Sequence, residues 1–165
     1  MRGIEARVDR NEDSLRASYV ISGEIARLRI PASGIPRIAE RLWQHTCCEI
    51  FIARKDACAY HEFNFAPSGE WAAYAFAGYR HGGSLADMML DPQIAVRRTP
   101  DRLELEASIA LHRLALAHGA LSLGLSAVIE DERGALSYWA LEHAPGKPDF
   151  HHRDAFALEL DEIRN

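Results

Sequence analysis

Along most of this chain the apolar positions recur every second residue, the period of half-buried strands rather than helices. Ile4, Ala6 and Val8 alternate with Glu5, Arg7 and Asp9. Leu15, Ala17, Tyr19 and Ile21 alternate with Arg16, Ser18 and Val20. After a Ser22-Gly23-Glu24 turn, Ala26, Leu28 and Ile30 alternate with Arg27 and Arg29. Three consecutive strands with short connections are expected. Residues 31–42 hold Pro, Ser and Gly and break the pattern, with a helical turn expected at 38–43. Strands resume at 47–52, 59–65 and 71–76, and residues 78–92, with Gly82-Gly83, read as a long loop. Leu103, Leu105, Ala107, Ile109 and Leu111 form the cleanest alternation, and Leu121, Leu123, Leu125, Ala127 and Ile129 the next. Between them, residues 111–120 form a short helix or a plain connection. A hairpin turn at 130–134 returns through 137–141, a loop covers 142–154, and Phe156, Leu158 and Leu160 close the chain as a strand. Many short strands without helical crossovers predict an all-β sandwich or barrel. No linker or repeat divides the chain, so a single domain spans 1–165.

Composition narrows the partners. The 165 residues, 48% hydrophobic and 26% charged, are enough for one ordinary core without staples. The net charge of -5 and the isolated Arg97-Arg98 step argue against nucleic acid and anionic membranes. The N-terminus carries no signal-like apolar run, so a cytoplasmic location is expected. The three cysteines are an odd number. Adjacent Cys47 and Cys48 point to opposite faces of a strand, which fits reduced thiols in core positions.

Two segments carry the candidate chemistry. In the strand at 47–52, Cys48, Ile50 and Ile52 share one face and Cys47, Glu49 and Phe51 the other. In the strand at 59–65, His61, Phe63 and Phe65 share one face and Tyr60, Glu62 and Asn64 the other. Burying the apolar faces together leaves Glu49 with Tyr60, Glu62 and Asn64, because a one-residue slip would expose every apolar residue. Such a face is either solvated, as antiparallel sheets allow, or a polar platform for a polyhydroxylated ligand. Trp43, Trp71, Tyr74, Tyr79 and Trp139 are candidate stacking faces. The second segment, 137–152, brings His143, Asp149 and His151 into one loop, a candidate site for a structural divalent metal in a spacing that matches no zinc motif.

At these residues the chain resembles a family. Trp43-Gln44-His45-Thr46-Cys47-Cys48-Glu49-Ile50-Phe51 resembles the opening signature of bacterial DOMON-like domains. Tyr60-His61-Glu62-Phe63-Asn64, with Pro67-Ser68-Gly69-Glu70-Trp71 and then Tyr79-Arg80, resembles their next signature. Tyr138-Trp139-Ala140-Leu141, His143 and Pro148-Asp149-Phe150-His151 are similar to the closing one. That family is grouped with family 9 carbohydrate-binding modules and, more remotely, with haem-binding domains. The resemblance implies a β-sandwich of two antiparallel sheets, a sugar-like ligand and a structural calcium. It assigns ligand contacts to Glu49, Tyr60, Glu62, Asn64, Trp71 and Arg80, with Trp43 and Trp139 as stacking faces. For haem, Met88, Met89 and several histidines are present, but no axial pair is identified.

The expected function is a non-catalytic module for a carbohydrate or similar small polar molecule. The alternatives are a protein-interaction or structural domain that has lost its ligand, a haem- or metal-binding domain, and a hydrolase using Glu49 and Glu62 as acid and base. Cross-strand neighbours are expected closer together than glycoside hydrolysis requires.

Overall fold

The computed structural model describes residues 1–116 and 118–163. Two sheets face each other, each built from the predicted alternation. The smaller holds β1 (Gly3–Arg10), β2 (Ser14–Ser22), β8 (Gln93–Arg98) and β9 (Arg102–Ala110) in the order β1-β2-β9-β8. The larger holds β3 (Arg37–Ile38), β4 (Cys47–Arg54), β5 (Tyr60–Phe65), β6 (Glu70–Gly78), β7 (His81–Ser84), β10 (Leu121–Glu130), β11 (Leu136–Ala140) and β12 (Leu158–Leu160). Its order is β11-β10-β4-β5-β6-β3, with β12 also on β10 and β7 also on β6. Pairing is antiparallel throughout except between β3 and β6. The remaining regular structure is short 3₁₀ turns. This is the expected antiparallel sandwich with short helical turns.

The core lies between the sheets. Leu15, Ala17, Tyr19 and Ile21 of β2 and Leu103, Leu105, Ala107 and Ile109 of β9 meet Ile50, Ile52, Phe63, Phe65, Leu121, Leu123 and Leu125. Burying each Leu, Ile or Phe side chain among them stabilises the fold by about 1.5–3 kcal/mol. The Tyr19 hydroxyl reaches across and donates to the Glu49 carbonyl at 2.6 Å. The hairpin after β10 closes as expected. Asp131 Oδ1 accepts from the Arg133 and Ala135 amides, while Gly134 takes a positive φ of 83°.

Several sequence expectations need correction. The third early strand does not form. Residues Ile25–Arg27 make a 3₁₀ turn, and Leu28 only bridges Asp131. Leu28 and Ile30 still pack on the core, but this backbone crosses to the β10–β11 turn, with the Arg29 amide donating to the Glu130 carbonyl. The expected loop at 78–92 contains β7. Gly82 allows that pairing, because a Cβ there would run into the Ala75 carbonyl and the Phe76 backbone. Strand β8 was not expected, although Ile94 and Val96 alternate with Ala95 and Arg97. The helical turn expected at 38–43 lies slightly later, at Leu42–Gln44, after the short parallel strand β3. The connection at 111–120 begins as a 3₁₀ turn over Leu111–Leu114, and its residue 117 lies outside the described residues. Phe156 falls outside the final strand, on the far face of the large sheet.

Candidate ligand-binding site

The far face of the large sheet is not solvated. Every residue of β10, and every residue of β4 up to Ala53, is buried on whichever side it points. The chain from 142 to 157 covers part of this face. Phe156 packs with Phe51, Ala53 and Tyr60, and Phe150 packs against both small clusters there. Tyr60 stacks on Phe76 with ring centroids 4.8 Å apart, and the His151 ring stands edge-on to Phe51 at 5.1 Å and to Phe76 at 5.2 Å. This cover leaves an open cavity of about 450 Å³, within the usual range for small-ligand pockets.

The register sets the floor. Glu49 lies opposite Asn64, Phe51 opposite Glu62, and Ala53 opposite Tyr60. The expected grouping of Glu49, Tyr60, Glu62 and Asn64 on one face is what the register produces. Glu49 and Glu62 are diagonal neighbours rather than directly opposed, so the expected close cross-strand approach does not apply to this pair. Both line the cavity, yet only 2% of Glu49 and 5% of Glu62 is exposed.

Their hydrogen bonds leave capacity unused. Glu49 accepts from Ser126 Oγ at 3.0 Å and from Cys47 Sγ at 3.5 Å. Glu62 Oε1 accepts from Asn64 Nδ2 at 3.0 Å, while Oε2 is 3.6 Å from His151 Nε2, beyond hydrogen-bond range. Burial and then the charge of Glu62 push the Glu49 carboxyl up to about 8. Burial pushes Glu62 up to about 7 against the pull of Asn64 and Arg80. Burial and then the nearby Arg80 charge push His151 down to about 4, so it is a neutral imidazole at neutral pH.

The walls are aromatic, formed by Trp43, Tyr74, Phe76, Tyr138 and Phe150, with Pro148 and Val128 between them. Arg80 lines the same cavity, but its guanidinium Nη2 donates to Asp149 Oδ1 at 2.7 Å. The Tyr79 hydroxyl donates to the other oxygen of Asp149, and the His151 amide donates to Oδ1. Asp149 thus ties the covering loop to the β6–β7 turn. Tyr60 holds the same junction from inside, its hydroxyl 2.9 Å from His151 Nδ1 and accepting from the Arg80 amide at 3.1 Å.

Other sequence candidates go elsewhere. Trp71 lies opposite Phe65 and belongs to the inter-sheet core. Trp139 lies opposite Ala127 and also packs on that core, its indole N–H donating to Ser137 Oγ at 3.1 Å. The alternation of β11 instead turns Tyr138, opposite Val128, toward the cavity. Trp43 and Tyr138 therefore flank the cavity where Trp43 and Trp139 were expected. Asn64 is fully buried behind Glu62 and orients it.

The residues proposed for a metal do not converge. The Asp149 oxygens are taken by Arg80, Tyr79 and a backbone amide, His151 Nδ1 faces Tyr60, and the His143 ring packs near Phe150. Among the described residues no group of three or more His, Cys, Asp or Glu is placed to hold a metal ion. This donor set does not fit a structural divalent cation. Sequence reasoning missed Tyr138, Phe150 and Phe76 as cavity-lining residues, and the place of His151 among them. The period of β11 was the signal available for Tyr138.

No family model matches the chain, and no curated protein matches it. Solved structures do. A candidate carbohydrate-binding protein from Bacteroides uniformis superposes with a TM-score of 0.72 at 16% identity, covering 96% of this chain and 77% of that one. A family 9 carbohydrate-binding module from Caldicellulosiruptor kristjanssonii, solved with glucose, gives 0.60 at 13% identity over 96% and 75%. A family 9 module from the same organism with cellotriose gives 0.61 at 13% identity over 98% and 76%. At these identities the likeness establishes a fold of the family 9 carbohydrate-binding type.

Proposed function

We propose that this chain is a non-catalytic binding module for a carbohydrate or a similar small polyhydroxylated ligand, held in the cavity over β4, β5 and β10. One observation carries the reading. Two carboxylates, almost excluded from bulk water, sit on the floor of an aromatic-walled cavity with acceptor capacity unspent. Burying such groups is costly unless donors meet them. Sugar hydroxyls supply paired donors, and the flat apolar face of a sugar ring fits against Trp43 or Tyr138. The similar folds solved with glucose and cellotriose support the same ligand class. The bacterial DOMON-like signatures around Glu49, Glu62 and Tyr138 point the same way.

Isothermal titration of the purified chain with glucose, cellotriose and a panel of other mono- and oligosaccharides tests this. Saturable binding of at least one sugar, weakened in Glu62→Gln, is expected. Silence across the panel would overturn the sugar reading in favour of a protein-interaction domain. Turnover of a chromogenic glycoside, abolished in Glu49→Gln, would overturn the non-catalytic part.

A further inference from the structure

The cavity floor holds two buried carboxyl groups, Glu49 and Glu62, and among the described residues neither has an ion-pair partner from Lys or Arg. The cation beside them, Arg80, is paired with Asp149 rather than with either glutamate. His151, the remaining basic group against Glu62, is hydrogen-bonded to Tyr60 and neutral near pH 7. A neutral sugar would leave two nearby carboxylates to be desolvated together, or one of them to be held as the acid. The walls meanwhile offer ring faces to a positive charge, since Trp43, Tyr74 and Tyr138 line the same space.

We propose that the cavity selects a sugar-sized ligand carrying a protonated amine, an amino sugar, with its ammonium seated between Glu49 and Glu62 and its ring against the aromatic walls. The proposal deepens the sugar-site reading and rests on it. An ammonium brings three N–H donors and a compensating charge to acceptors that have hydrogen-bonding capacity left. An acidic sugar would instead bring a further negative charge beside two carboxyl groups that burial already disfavours in their charged form.

Glucosamine, glucose and N-acetylglucosamine share a ring, and glucosamine alone carries a free amine. Titrating each into the wild-type chain near neutral pH separates charge from shape. Glucosamine should bind about tenfold tighter than either neutral sugar, the scale of one charge-assisted hydrogen bond. In Glu62→Gln that preference should shrink to about twofold, as expected once the buried charge is gone. Glucose binding as tightly as glucosamine would overturn the amine inference and leave the sugar site standing. Failure of all three to bind would overturn the amine inference, and silence of the wider sugar panel as well would overturn both. The wild-type ratio decides the matter even if the Gln variant folds poorly.

Discussion

Replacing Glu49 by Gln should change how the stability of this protein responds to pH. In the folded chain the Glu49 carboxyl is pushed from an ordinary 4.5 up to about 8, first by burial and then by Glu62. Folding therefore favours its protonated form. Below pH 4.5 folded and unfolded chains both hold the proton, and this group carries no penalty. As pH rises from 4.5 through about 8, the unfolded chain releases its proton first, and stability falls. At about 1.36 kcal/mol per tenfold change in acidity, the interval amounts to about 5 kcal/mol, of which about 4 develops between about pH 5 and 9. Glutamine has the same shape, stays neutral, and its carbonyl can still accept from Ser126. Urea unfolding of both proteins across this pH range, followed by tryptophan fluorescence, reads the difference. The variant should be more stable than the wild type by several kcal/mol at about pH 9 and close to it at about pH 5. Parallel pH profiles for the two proteins would refute the reasoning, because Glu49 would then not be buried against its own charge.

Two further substitutions probe the site and the core separately. Tyr138→Ala should weaken sugar binding about tenfold, by removing a stacking wall, with little change in unfolding midpoint. Trp139→Ala, one residue along, should lower the midpoint and leave affinity nearly intact; parallel titration and thermal unfolding check this reversal, and equal affinity losses would contradict the assigned faces. Phe63→Ala, at a fully buried position between the sheets, should cost about 3–5 kcal/mol in denaturant unfolding.

Much of this architecture is already legible in side-chain alternation. A period of two assigns each strand residue to a face, and only registers of one parity bury Cys48, Ile50, Ile52, Phe63 and Phe65 together. That constraint alone groups Glu49 with Tyr60, Glu62 and Asn64 on one face, and the structure decides that Asn64 is the residue opposite Glu49. Alternation does not say what covers the opposite face. The same residues suit open solvent or a buried floor, and the covering chain from 142 to 157 decides between them through Phe150, His151 and Phe156. Short strands with weak patterns, such as β7 and β8, form because neighbouring β6 and β9 offer unpaired backbone edges, a tertiary cause. The reverse holds for residues 26–30, whose alternation is clean but whose backbone is drawn to the β10–β11 turn instead of a sheet edge. Trp71 and Trp139 show the same limit at single residues: an indole suits a core as well as a binding wall. The sequence by itself determined two-faced strands and a shared carboxylate face, because periodicity and burial are local constraints. The tertiary structure alone decided that this face is a covered cavity walled by Trp43 and Tyr138, because that depends on where distant loops come to rest.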